Sequence, residues 1–116
     1  MKALALAESM GLDAQQARKY LSGCRDVVES RRWVATLKGN TVHIAAQPRG
    51  LGGRRLLREC RVTLRRWFDL EPILYAPIKH HNTRAVRFAI AMGFFPYAED
   101  DTYIWLVQTK EKFNGH

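Results

Sequence analysis

"HIAAQPRGLGGRRLLREC", residues 43–60, passes from an apolar run through a loop dense in glycine and arginine into a helical pattern. A strand, a glycine loop and a helix, in that order, form an arrangement that holds phosphate through backbone amides. The first-turn N–H groups have no intrahelical partner, and the helix dipole favours an anion there. Gly50, Gly52 and Gly53 let the main chain approach a ligand without a Cβ in the way, while Arg49, Arg54 and Arg55 add charge. The loop is not a Walker loop, because no Gly-Lys-Ser/Thr follows. It also lacks the third glycine of the dinucleotide fingerprint. A bland turn accounts for the same glycines, so the loop alone leaves both readings open.

Working outward, Arg54–Phe68 is an amphipathic helix. Leu57, Cys60 or Arg61, Leu64 and Phe68 follow its period, Leu56, Cys60 and Trp67 widen the apolar face, and Arg54, Arg58, Arg61 and Arg65 make the opposite stripe. Upstream, Trp33–Leu37 and Thr41–Ala46 are short strands joined by "KGN", where Gly39 and Asn40 tolerate positive φ. Downstream, Pro72 marks the exit from the helix. Ile73–Ile78, apolar on both faces, reads as a central strand. A helix over Thr83–Met92 starts at Asn82 and ends at Gly93, and Phe94–Tyr97 with Thr102–Gln108 makes a hairpin across "AEDD". The chain opens with helices over residues 2–10 and 13–22, broken at Gly11, with Asp13 capping the second and Ala14, Ala17, Tyr20 and Leu21 on one face. A further helical turn is expected around Val27–Glu29. The order α-α-β-β-α-β-α-β-β places a βαβ unit in the middle, which makes its two strands parallel.

With 116 residues, 47% of them hydrophobic, the sequence suits one domain, residues 1–116, with a helical part over 1–30 and a sheet core over 33–108. No segment approaches the roughly 20 apolar residues that cross a bilayer, so no membrane role is expected. "MKALALAESMGL" carries one basic residue and Glu8, a poor signal peptide. Cys24 and Cys60 do not make a disulfide framework, which points to a reduced, cytoplasmic protein. Nineteen Lys and Arg against eleven Asp and Glu give +8. That field favours a polyanion, either nucleic acid or a phosphate-bearing small ligand.

Gln47-Pro-Arg-Gly50-Leu-Gly52 reads as Q-x-x-G-x-G and resembles the acetyl-CoA pyrophosphate loop of the GNAT N-acetyltransferases. "NTRAVRFAIAMGF", Asn82–Phe94, resembles that family's second signature, with Asn82, Ala85, Phe88, Gly93 and Phe94 matching. Two motifs in order, separated by a helix and a strand, are far more specific than either alone. The resemblance extends to small GNAT-like proteins of tailed phages, some of them virion components. It implies an α/β fold: a mixed sheet with a central parallel pair flanked by helices and a C-terminal β-hairpin; because the chain opens directly with a helix, the family's first strand is expected to be missing. It further implies transfer of an acetyl group from acetyl-CoA, as co-substrate, to an amine on a small molecule or protein. Gln47, Arg49, Gly50, Leu51, Gly52, Gly53 and Arg54 would cradle the pyrophosphate. The Thr41–Ala46 backbone, Ala45 included, would hold the pantetheine and thioester, with Asn82 on the far wall of the cleft.

Where many family members carry the tyrosine that protonates the departing thiolate, this sequence has Ala89. His43, on the strand before the loop, is a candidate general base because imidazole titrates near neutral pH; a strand histidine facing solvent or a helix is the alternative. Glu99, Asp100 and Asp101 either attract a cationic amine or simply build a turn. Tyr75, Tyr97 and Tyr103 are substitute acids if geometry permits. His80 and His81 are adjacent and lack partners at ligand spacing, which argues against a metal site.

Two competing readings come from the same residues. "LALAESMGLDAQQARKYL", residues 4–21, fits a helix-turn-helix, with Gln15, Gln16, Arg18 and Lys19 as DNA readers and the following hairpin as a wing. That reading leaves the βαβ half unexplained. The other keeps the fold and drops the reaction, giving a non-catalytic interaction protein such as a phage virion component, with the arginine stripe facing nucleic acid.

Overall fold

The computed structural model describes residues 2–30, 33–46 and 54–115, and the chain divides into two units, Met1–Gly50 and Leu51–His116.

In the first unit, helices α1 (Lys2–Ser9) and α2 (Ala14–Ser22) form a hairpin that turns at Gly11. Asp13 caps α2 through a reciprocal pair of bonds. Its Oδ1 accepts from the Gln16 amide at 2.8 Å, and Gln16 Oε1 accepts from the Asp13 amide at 3.0 Å. Ala7 and Ala17 are fully buried beside Tyr20, small side chains that let the two helices approach closely. Ala14 is exposed and Leu21 half-buried, so the buried face of α2 is narrower than its sequence period suggests.

Three strands follow as an antiparallel meander: β1 (Asp26–Glu29), β2 (Trp33–Lys38) and β3 (Thr41–Ala46). The helical turn expected at Val27–Glu29 is therefore strand. Val27 and Val28 are β-branched, and they pair with Thr36 and Ala35 of β2, a ladder that outweighs a lone helical turn. The β2–β3 loop closes at the Lys38–Thr41 pair, with Gly39 at φ 60°. Asn40 does not adopt positive φ, so the turn needs a glycine only at its first central position. On one face of this meander Val34 and Ala45 pack with Leu6, Met10 and Val27.

The second unit opens with α3 (Arg54–Phe68), whose Leu56, Cys60, Leu64, Trp67 and Phe68 are buried. Strand β4 (Ile73–Lys79), helix α4 (Thr83–Ala91), strands β5 (Phe95–Glu99) and β6 (Tyr103–Thr109) and a short helix α5 (Lys110–Asn114) complete it. Within the unit β6 lies between β4 and β5, antiparallel to both. Gly93 takes φ 102° just past α4, the left-handed conformation that ends a helix cheaply only with glycine. The sequence period does not reveal α5, because five residues carry one apolar anchor. Thr109 Oγ1 accepts from the Lys112 amide at 3.2 Å, and the Phe113 ring lies 5.0 Å from that of Phe68.

The two faces of the β4–β6 pair differ. Leu74 and Ala76 of β4 lie opposite Gln108 and Leu106 of β6, and all four are buried. The other face carries Tyr75, Tyr103 and Trp105, all half-buried. Neighbouring β5 adds the exposed Tyr97, whose ring lies 5.8 Å from that of Tyr75.

Candidate functional site

Gln47, Arg49, Gly50, Leu51, Gly52 and Gly53 lie outside the described residues. Strand β3 precedes them and α3 follows. Helix α3 begins with the exposed Arg54 and Arg55 and has no acidic residue in its first turn. Cations there oppose the helix dipole, and Gly53, which precedes Arg54 in the sequence, offers no side chain to accept from the free amides. Arg55 is offset by Glu59, whose Oε1 lies 3.4 Å from its Nε, whereas Arg54 has no such partner among the described residues. A helix start of this composition fits an external anion such as a pyrophosphate.

On the strand side, Ala45 is half-buried against the Leu6–Val34 cluster. His43 stands opposite Thr36 in the β2–β3 register, and its ring meets that of Tyr20 edge-on, with centroids 6.2 Å apart. Burial, then the nearby Lys38 ammonium, pushes the imidazole below its usual 6.5, so His43 is neutral at pH 7. Tyr20 Oη and Thr36 Oγ1 are 2.9 Å apart. Burial raises the Tyr20 phenol to about 12, and Lys38 Nζ lies 4.9 Å from the ring centroid. Cys24 Sγ donates to the Tyr20 carbonyl at 3.4 Å, and burial holds its thiol above the usual range. This Tyr20–Thr36–His43 arrangement has no local sequence signal, because its members come from three elements brought together only by folding.

Asn82 is the N-cap of α4: its Oδ1 accepts from the Ala85 amide at 3.3 Å. Ala89 is buried, and its carbonyl accepts from the amides of Met92 and Phe94 at the helix end. No hydroxyl is available at that position.

Asp100 builds the β5–β6 turn. Its Oδ1 accepts from the amides of Thr102 at 2.8 Å and Tyr103 at 2.6 Å, and its Oδ2 accepts from Trp105 Nε1 at 3.1 Å. These bonds, the Tyr103 amide foremost, hold its carboxyl below the ordinary carboxylate value. His80 ties the loop before α4 to this turn: its Nε2 donates to the Asp100 carbonyl, and its Nδ1 lies 3.9 Å from Glu99 Oε2. Among the described residues no group of three His, Cys, Asp or Glu could hold a metal ion. No helix among them is long and apolar enough to cross a membrane.

No protein-family model matches the sequence, and no curated protein matches it. Solved structures do match. A structure provisionally assigned as a phosphinothricin N-acetyltransferase aligns with a TM-score of 0.64 at 19% identity, over 94% of this chain and 89% of its own. The Campylobacter jejuni N-acetyltransferase PseH, solved in complex with acetyl coenzyme A, aligns at 0.63 and 14% identity over 84% and 77%. The ribosomal-protein-S5-alanine acetyltransferase of Vibrio fischeri aligns at 0.60 and 13% over 71% of this chain, which spans 56% of that enzyme's length. The fold is thus the mixed α/β fold of N-acetyltransferases, the class expected from the two motifs.

Proposed function

We propose that this chain is a GNAT-family protein that binds acetyl-CoA and transfers its acetyl group to an amine. One coincidence carries the reading: in a chain with an N-acetyltransferase fold, each motif directly adjoins a helix start. Q-x-x-G-x-G precedes α3, whose first turn bears arginines and no acid, and Asn82 of the second motif caps α4.

In this reading the amides and side chains of residues 47–54 hold the pyrophosphate, and the backbone of β3 around Ala45 holds the pantetheine. Acetyl-CoA, when bound, supplies a thioester whose C–S bond breaks as the C–N bond to the amine forms. The chain then orients the two reactants and takes a proton from the acceptor's ammonium, freeing the lone pair that attacks the thioester carbon. His43 suits the second task by titration, since its neutral imidazole can accept a proton at pH 7. Its packing against Tyr20 suits a structural role equally, and a pH profile separates the two. With Ala89 in place of a tyrosine, the departing thiolate takes its proton from solvent. The acceptor's identity depends on loops that a shared fold does not specify.

A second reading, binding without turnover, is favoured by that same buried Ala89. Calorimetric titration decides the first step. Micromolar binding of acetyl-CoA, weakened at least about 100-fold by Gly52→Glu, supports the site; that factor corresponds to about 2.7 kcal/mol. A panel of amines assayed for released thiol then decides between enzyme and binder.

A further inference from the structure

We infer that the outward face of α3 is a binding surface for the phosphate backbone of a nucleic acid. Arg54, Arg58, Arg61 and Arg65 are all exposed. At 3.6 residues per turn they fall within about 60° of one another around the helix, and at 1.5 Å per residue the row is about 16 Å long. The one acid of α3, Glu59, lies well off this row and is engaged by Arg55. Asp69, just past the helix, faces Lys110, with 3.5 Å between Oδ1 and Nζ. None of the four stripe arginines has a hydrogen-bond or ion-pair partner among the described residues. Four such guanidinium groups in line, on a chain of net charge +8, are a surface without its counter-charge.

The far end of the row is shaped as well as charged. Arg61 and Arg65 border an open depression with Met92, Phe113 and Asn114, so α3, the end of α4 and α5 all contribute. Two guanidinium groups one turn apart and a carboxamide, on the rim of an apolar floor, form a seat for one phosphate of a chain. The regular spacing along a straight helix matches a periodic polyanion better than a single small anion. A lipid surface fits poorly, because the apolar face that an interfacial helix inserts into a bilayer is here buried as Leu56, Cys60, Leu64, Trp67 and Phe68. Backbone contacts of this kind give affinity and salt dependence without base readout.

The test is fluorescence anisotropy of a 20-bp duplex DNA titrated with the full chain between 50 and 300 mM salt. Arg54 is left intact, because it also belongs to the proposed acetyl-CoA loop. The triple change Arg58→Gln, Arg61→Gln, Arg65→Gln should lower the slope of log K against log salt by about 2–3, at about 0.9 for each phosphate left unneutralised. Its Arg→Lys counterpart should restore most of the slope. Arg18→Gln with Lys19→Gln, on α2, should leave it nearly unchanged. Circular dichroism and an unaltered acetyl-CoA titration establish that the triple variant is folded. The inference is overturned by absence of duplex binding at low salt, or by an equal fall in slope in the α2 variant. Equal displacement of the duplex by polyglutamate of matched charge also overturns it.

Discussion

Among the described residues, Asp13, Gln16, Tyr20 and Thr36 of the first unit pair with one another, whereas the second unit leaves Gln108 and a row of arginines without partners. Helix α2 is capped by its own Asp13 and Gln16, and Thr36, fully buried, shares a hydroxyl bond with Tyr20. Helix α3 starts with two arginines after a glycine, carries a row of cations without partners among the described residues, and shares its unit with Gln108. That side chain is as buried as Thr36, yet neither its Nε2 nor its Oε1 finds a partner among the described residues. Among the described residues, the Asp13–Gln16 and Tyr20–Thr36 pairs hold the shape of the first unit, whereas the exposed arginines of α3 leave room for an external anion.

The contrast can be broken at four points. Gln108→Met keeps the side chain's length and removes two unsatisfied atoms, so it should stabilise the protein by about 2 kcal/mol in urea unfolding. An equal destabilisation would mean that Gln108 has a partner in solution. Asp13→Ala should cost about 1 kcal/mol, because the first-turn amides of α2 then lose their acceptor. It should leave acetyl-CoA affinity unchanged. Arg54→Glu should act with opposite signs on the two observables. It relieves the dipole clash at the start of α3, raising the stability of the free protein by about 0.5 kcal/mol, while weakening acetyl-CoA binding. A fall in both would mean that Arg54 serves the fold.

The smallest effect is the pH response of His43. Its folded pKa lies below the unfolded value, so the unfolded chain binds more protons in the interval between them. Stability is therefore full above about pH 6.5 and falls as pH drops through the folded pKa. His43→Phe should flatten the difference between urea midpoints at pH 7.5 and 5.5. If His43 is also the base, the turnover of the wild type should fall over the same acidic interval.

Much of this was legible in the sequence where chemistry is local. Asp13, Asn82 and Gly93 mark helix ends by their side chains or lack of them, and Arg54–Phe68 is a helix at both ends as its period predicts. The strand at Asp26–Glu29 was not legible, because two valines in a short charged stretch become strand only beside β2. Nor was α5, which rests on one phenylalanine finding Phe68. The turn carboxylates were ambiguous in sequence, and Asp100 resolves into a turn builder with every bond accounted for. The candidate site divides in the same way. Asn82 could be read as a cap, whereas the surroundings of His43 depend on Tyr20 and Thr36 arriving from other elements.

The most direct test of the central proposal is a calorimetric titration of the unmodified chain with acetyl-CoA at low salt. Saturable one-to-one binding is expected, with a micromolar Kd that Gly52→Glu weakens at least about 100-fold. Absence of heat and of saturation up to millimolar acetyl-CoA, from a chain shown to be folded, would contradict it.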